Sequence, residues 1–178
     1  MQVFWAKGYA ATTTEDLVQA MGVGRQSLYN AFGDKRSLYL EAFAAYLHGS
    51  MGGHLRRLGD PASPLAGIRD LLLGIVVADD DLRALGCMGV VAISEFGACD
   101  PEVAELRVRA VALLRTRLIE RVREGQARGE LDPGMDPAET AAFIQMTMTG
   151  IQLAARAGSS AEQLQAMARF AADRLQPH

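Results

Sequence analysis

Three times the chain sets a short polar side chain directly before a proline at the head of a long run patterned with apolar residues: Ser63-Pro64 in "SPLAG", Asp100-Pro101 in "CDPEV" and Asp136-Pro137 in "MDPAE". Serine and aspartate accept hydrogen bonds from the free N–H groups of a first helical turn. Proline at the first helical position gives up only an N–H that had no partner. Glu102 and Glu139 then fall where the positive end of the helix dipole favours a carboxylate. A chain punctuated in this way is committed to helices, and its composition agrees. Apolar residues make up 49% of the chain and aromatic residues 6%, with Ala, Leu, Arg and Glu dominant and β-branched residues thin. The fold class read from the sequence is all-α.

The remaining boundaries follow the same logic. Thr12 or Thr13, with Glu15 or Asp16 as the reciprocal partner, opens a helix that Gly22 ends near Met21. After a short turn a second helix runs from about Arg25 to Ala31, and Asp34 caps a longer one that starts at Lys35 and carries Leu38, Leu40, Phe43 and Leu47. Glycines at 49, 52 and 53 each cost about 0.8 to 1 kcal/mol in a helix, so a bend is expected there. The expected domain boundary lies just before it, giving a first domain over 1–47 and a second over 48–178. In the second, helices are expected from Pro64 to Ala78, ended by Asp79 to Asp81, then from Met88 to Phe96, from Asp100 to about Arg128 and from Asp136 to about Ala157. A last helix is opened by Ser159 with Glu162 and ends near Leu175.

Several function classes fall away. No apolar run in the 178 residues approaches the roughly 20 needed to cross a bilayer, and "MQVFWAKGY" lacks the features of a secretory signal, so a cytoplasmic protein with no membrane partner is expected. Cys87 and Cys99 have no metal-binding or redox spacing and read as reduced structural thiols. His48 and His54, six apart, point from different helix faces, so they form no metal site with Cys87 and are expected at the surface. No metal or cofactor is expected. The chain has no G-x-S-x-G, no P-loop and no dinucleotide glycine pattern, which speaks against an enzyme. Net charge is −3, and residues 1–47 balance Lys7, Arg25, Lys35 and Arg36 against Glu15, Asp16, Asp34 and Glu41, so bulk charge does not announce a nucleic-acid binder.

One stretch does point to a partner. In "GVGRQSLYNAFGDK", Gly22 to Lys35, two short helices meet at a glycine-bearing turn, the arrangement of a helix-turn-helix whose second helix enters the DNA major groove. With Leu28 at zero and about 100° per residue, Phe32 lies near Leu28 at about 40° while Gln26 and Asn30 point outward at about 160° and 200°. Tyr29 and Ser27 flank them, and Arg25 lies nearer the protein. Gln and Asn can bond an adenine edge, Arg can read guanine or hold a phosphate, and Tyr and Ser suit phosphate oxygens. Residue chemistry alone also allows a plain solvated helix, in a helical scaffold or adaptor that binds no DNA.

Residues Phe4 to Phe43 resemble the N-terminal DNA-binding domain of the TetR/AcrR family of transcriptional repressors. Phe4, Gly8-Tyr9, Thr12 to Thr14, Leu17, Gly22-Val23, Leu28-Tyr29, Phe32, Lys35 and Leu38 match in order and without gaps. The resemblance implies a three-helix DNA-binding domain joined to a helical ligand-binding and dimerisation domain. It implies that Thr13 or Thr14 and Tyr29 touch phosphates, that Arg25, Gln26 and Asn30 approach bases, and that Lys35 meets a phosphate. Two departures stand out: Gly24 replaces a usual capping Ser or Thr, and the sequence starts inside the first helix at Met1, so the family's basic arm is expected to be cut off or absent.

The segment "LGCMGVVAISEFGACDPEV" is similar to a stretch in the regulatory half of many members. The helices over 100–128 and 136–157 are apolar on more than one face, which calls for two partners each. The resemblance assigns them to a four-helix bundle between two copies of the chain, with Ala141, Ala142, Gly150, Ala154 and Ala155 allowing close approach. A homodimer of this kind fits a palindromic double-stranded DNA operator. Met88, Met146 and Met148, with Leu72, Ile75, Val76, Phe96 and Phe143, are candidates to line an adaptable ligand pocket, and Ser94, Gln145 and Gln152 are its candidate polar contacts. The resulting expectation is a ligand-responsive repressor, released from its operator by a small, largely apolar effector.

Overall fold

The computed structural model describes residues 1–97 and 99–177, which hold ten α-helices and no strand. In chain order these are α1 Gln2–Ala11, α2 Thr14–Met21, α3 Arg25–Phe32, α4 Lys35–Gly59, α5 Pro64–Leu73, α6 Asp80–Leu85, α7 Met88–Phe96, α8 Pro101–Ala127, α9 Pro137–Arg156 and α10 Ala161–Asp173. Among the described residues no helix is long and apolar enough to cross a membrane.

The caps read from the sequence form as hydrogen bonds. Ser63 accepts from the Ala66 N–H, Asp100 from Val103, and Asp136 from both Ala138 and Glu139. Of the two acidic candidates on α2, Asp16 makes the reciprocal box with Thr13, and Gly22 ends the helix in the left-handed region at φ 65°.

Three boundaries differ from expectation. α5 stops at Leu73, and Asp79 opens α6 by accepting from Leu82 N–H; an aspartate serves the orphan donors of a helix start better than the carbonyls of a helix end. α10 is opened by Ser160 with Gln163, because that pair closes the box in both directions. α4 also continues without interruption through Gly49, Gly52 and Gly53. It packs along α5 and α8, and such tertiary contact outweighs the propensity cost of three glycines.

Two apolar clusters hold the molecule together. The larger joins Leu58 of α4, Ile68, Leu71 and Leu72 of α5, Leu118 of α8, Ile144 of α9 and Ala168 of α10. The smaller joins Phe4, Leu17, Leu28, Tyr39 and Phe43 of α1–α4 with Met88 and Ala92 of α7 and Val103 of α8. Residue 47 lies within α4, and the core of the first four helices is completed by side chains from far beyond it. Each fully buried Phe or Leu contributes about 1.5 to 3 kcal/mol relative to exposure, so α7 shares substantially in holding the first four helices.

Candidate functional site

Every residue from Met21 to Ala31 is exposed except Leu28, which is only 1% exposed and pins α3 to the rest of the head. Gln26 Nε2 donates to Asn30 Oδ1 at 2.9 Å, one turn apart on the outward face. This contact pre-orders the pair and leaves the Gln26 oxygen and the Asn30 amide N–H groups, on two exposed residues, without a partner among the described residues. Tyr29 OH lies 3.4 Å from Thr14 Oγ1, so the two candidate phosphate contacts from α2 and α3 are side by side. Thr13 Oγ1 accepts from Asp16 N–H as a cap, which keeps its own hydroxyl hydrogen for another acceptor. Ser27 is exposed on the same helix.

The cations of this face are already engaged. Arg25 pairs with Glu15, and Lys7 pairs with Asp16 at 2.6 Å. The hydrogen bond from Lys7, followed by those from Thr13, holds the Asp16 carboxyl down at about 2. Lys35, matched to a phosphate contact by resemblance, is half-buried. Its ammonium donates to the carbonyls of Tyr9 at 3.0 Å and Thr12 at 2.9 Å and lies 4.3 Å from the Tyr9 ring centre. Two of its three hydrogens close the end of α1, and one remains for an external oxygen.

The joint between head and body was not legible in the sequence. At Gly8 (φ 80°, ψ 172°) α1 kinks, and the freed N–H groups of Tyr9 and Ala10 donate to the Glu95 carboxylate of α7 at 2.8 and 3.1 Å. A Cβ at residue 8 would stand 2.6 Å from Glu95 Oε1, so the glycine is required by both conformation and space. Arg36 of α4 forks onto Asp100, with Nη2 at 2.7 Å from Oδ1, and also reaches Glu102 at 3.0 Å. Trp5 Nε1 donates to Gly86 O at 3.2 Å. These contacts span more than 60 residues of sequence, and no local pattern signals them.

A cavity of about 170 Å³ lies between α4, α7, α8 and α9. Its apolar wall includes Leu47, Met51, Val90, Ile93 and Met148, and its polar groups include Tyr46, Ser50, His54, Cys87, Arg107 and Gln145. A neighbouring cavity of about 130 Å³ shares Tyr46, Ser50, His54 and Gln152. Burial pushes the Tyr46 phenol well above its usual range, and burial together with the nearby Arg57 charge pushes His54 down to about 4. The sequence expectation of a surface His54 is thus corrected: its Nδ1 is enclosed, and Nε2 lies 3.1 Å from Ser50 Oγ. His48 is exposed on the same helix, one turn and a half away.

Of the eleven residues proposed for a pocket, Gln145, Met148 and Gln152 line this cavity. Leu72 and Val76 belong to the larger core, while Ile75 borders the neighbouring cavity. Met88 is buried in the head core, and Phe96 packs there against Tyr9 and Tyr39. Ser94 is exposed and bonds the Val90 carbonyl. Phe143 and Met146 face outward, 42% and 75% exposed. α5 forms no wall of the cavity; α8 takes that place, with Arg107, Ala110, Val111 and Leu114. Hydrophobic type alone could not separate these fates, since core, cavity and surface stripe all draw on the same residues.

The outward stripe of α9 is Phe143, Met146, Gly150 and Leu153, spaced three to four residues apart, and α10 adds Met167 and Phe170 beside it. Ala141 and Ala155, expected at a subunit contact, are instead buried in the core of the chain itself.

Residues 1–42 match the family model described as bacterial regulatory proteins, tetR family, and residues 75–171 match the tetracyclin repressor-like C-terminal domain. The chain belongs to the TetR family. It is 29% identical over 167 residues to the uncharacterized HTH-type transcriptional regulator YezE of Bacillus subtilis, covering 93% of this chain and 86% of that one. To the HTH-type transcriptional repressor ComR of Escherichia coli it is 28% identical over 171 residues, covering 94% and 81%. Among solved structures, a cysteine mutant of the TetR family regulator CifR complexed with 26 bp double-strand operator DNA superimposes with a TM-score of 0.79 at 28% identity, covering 97% of this chain and 91% of that one. A TetR family regulator from Agrobacterium tumefaciens shares the fold with a TM-score of 0.84 at 21% identity, covering 98% and 92%. This TetR family member is therefore a DNA-binding transcriptional regulator whose helix-turn-helix is α2 and α3.

Proposed function

We propose that this regulator is a repressor that binds a palindromic operator as a homodimer and leaves it when a small, largely apolar effector enters the cavity beside α4. Residues 1–47 read the DNA and residues 48–178 carry the effector site and the subunit interface. The observation that carries the reading is that α4 begins against the recognition helix and ends in the body, while its middle supplies Tyr46, Leu47, Ser50, Met51 and His54 to the cavity.

Gln26 and Asn30 meet base edges, with Arg25 alongside. Thr13, Thr14, Ser27 and Tyr29 hold phosphates, and Lys35 contributes its one remaining hydrogen there. The apolar face of α9 and α10, with Phe143, Met146, Leu153, Met167 and Phe170, pairs with its copy across a two-fold axis. That pairing sets two recognition helices about 34 to 36 Å apart, one helical turn of DNA.

Effector binding displaces α4 and α7 together. Because Glu95 follows Ile93 of the cavity wall on α7 and grips the α1 backbone, this displacement reaches the head through two routes, α4 directly and Glu95 indirectly. An effector shifts the equilibrium only by its differential affinity for the two spacings, typically about 1 to 3 kcal/mol, and operator weakens effector binding by the same factor. The test is a reciprocal titration: operator affinity measured against effector, and effector affinity against operator. An effector that binds the cavity tightly yet leaves operator affinity unchanged removes the induction mechanism.

A further inference from the structure

The cavity between α4, α7, α8 and α9 carries one formal charge, and it is positive. Arg107 is half-buried on its wall, and the lining contains no Asp or Glu. Elsewhere on α8, Arg109 is answered by Glu105, Arg117 by Glu120 and Arg121 by Glu124, while Arg115 and Arg123, which make no ion pair among the described residues, stand exposed to solvent as Arg107 does not. The positions three and four residues from Arg107 are Val103, Ala104, Ala110 and Val111, none of which can pair with it. Among the described residues Arg107 makes no ion pair or hydrogen bond to any side chain or carbonyl. Partly buried cations are normally paired, because apolar surroundings penalise an unanswered charge and strengthen its pull on an anion.

A second polar group in the same wall is also unanswered. His54 Nδ1 is enclosed and has no partner among the described residues, while Nε2 is in contact with Ser50 Oγ. With Ser50 donating its hydroxyl hydrogen to Nε2, the neutral ring carries its own hydrogen on Nδ1, which is enclosed beneath the wall and so not presented to a ligand. Of the two α9 amides on this wall, Gln145 already donates to the Val111 carbonyl at 3.0 Å, while Gln152 makes no side-chain hydrogen bond among the described residues. The unused polar groups that the wall offers a ligand are the Arg107 guanidinium, its one charge, and the Gln152 amide, set among Leu47, Met51, Val90, Ile93 and Met148.

We propose that the effector is an apolar carboxylate, its body seated among these side chains and its anionic group held by Arg107. The planar guanidinium offers a fork that fits two carboxylate oxygens, and a single cation suits a monoanion better than a phosphate dianion. A cavity of about 170 Å³ matches a body of roughly one aromatic ring or a short alkyl chain, since an apolar cavity of about 150 Å³ takes up benzene. The inference rests on the cavity being the effector site and narrows what that site accepts.

The test uses the full chain and three carboxylates, benzoate, phenylacetate and hexanoate, each against its neutral primary amide, by titration calorimetry. The wild-type protein should bind at least one carboxylate about ten-fold or more tightly than its amide, the scale of a hydrogen-bonded charge contact. Arg107→Met should reduce that preference to less than about two-fold while leaving amide affinity in place, and Arg107→Lys should restore part of it. Amide binding by each variant also reports that the cavity is still formed. Equal affinities for acid and amide in the wild type, or a preference that survives Arg107→Met, overturns the carboxylate assignment and leaves the cavity as a neutral effector site. No binding of any of the six compounds at millimolar concentration overturns the effector-site reading itself.

Discussion

α3 and α9 each present a row of side chains to solvent, and the two rows are chemically opposite. On α3 the row is Gln26, Tyr29 and Asn30, with Ser27 beside it, and buried Leu28 with half-buried Phe32 holds the helix down. On α9 it is Phe143, Met146 and Leu153, with Gly150 leaving a gap between them. A DNA groove is wet and lined with acceptors and donors at fixed spacing, so a helix that enters it must carry hydrogen-bonding groups. A subunit interface excludes water at its centre, so a helix that forms one carries apolar groups that a monomer would not leave exposed. The same secondary structure thus advertises two kinds of partner by what it leaves uncovered.

The most severe test of this contrast is to put charge on the apolar row. If the proposed homodimer forms through this face, wild type should sediment as a dimer at micromolar concentration and the double substitution Phe143→Glu with Met146→Glu as a monomer. Operator affinity should fall by about 10² to 10⁴, since two half-site contacts no longer act as one. A variant that stays dimeric shows that the α9 face is not the interface.

Next in size is the core that the two regions share. Phe4→Ala should cost about 3 to 5 kcal/mol, because Phe4 is buried against Tyr39 in an edge-to-face pair at 5.2 Å and the site cannot collapse easily. With Met88, Ala92 and Val103 completing this cluster, unfolding should remain one calorimetric transition in wild type and variant. A separate early transition in the variant would separate the head from the body as folding units.

On the polar row, Gln26→Ala should cost about 1 to 3 kcal/mol and relax one operator position, whereas Tyr29→Phe should weaken binding about equally on every sequence. Electrophoretic mobility shifts on a set of single-base operator variants separate the two. Glu15→Gln frees Arg25 from its ion pair, and should raise affinity for any duplex while steepening the slope of log affinity against log salt by about 1. A steeper slope would mean that the freed Arg25 also reaches a phosphate, and an unchanged affinity and slope would place Arg25 outside the DNA contact altogether.

A further test turns on pH. Burial lowers His54 from 6.5 to about 4 in the folded chain, so between those values the unfolded chain binds the extra proton and stability falls as pH falls. His54→Gln should flatten stability against pH in the window from about 6.5 to 4, measured by urea midpoints. The contribution of Asp16 lies lower, lost as pH drops from 3.8 toward about 2. The two windows can therefore be told apart.

Sequence alone placed most of the helices and the helix-turn-helix, because both rest on short-range rules, while α6 was not foreseen. Capping needs only the residues within one turn, which is why Thr13, Asp34, Ser63, Asp100 and Asp136 all cap the helices that follow them. The outward set on α3 follows from a period of 3.6 residues and the inward pair Leu28 and Phe32. Where two local solutions were close, the sequence reading chose Ser159 as the cap and Asp79 as a stop, and the folded chain uses Ser160 as the cap and Asp79 as a start. The cavity, the Glu95 grip on α1 and the burial of His54 depend on which helices come to lie beside one another, and that is fixed by the packing of whole faces rather than by any neighbouring residue. Methionine and phenylalanine look alike to a sequence reading whether they fill a core, line a void or wait for a partner, since all three places reward the same removal from water. Only the tertiary structure separates Met148 in the cavity wall from Met88 in the head core and Met146 on the outer face.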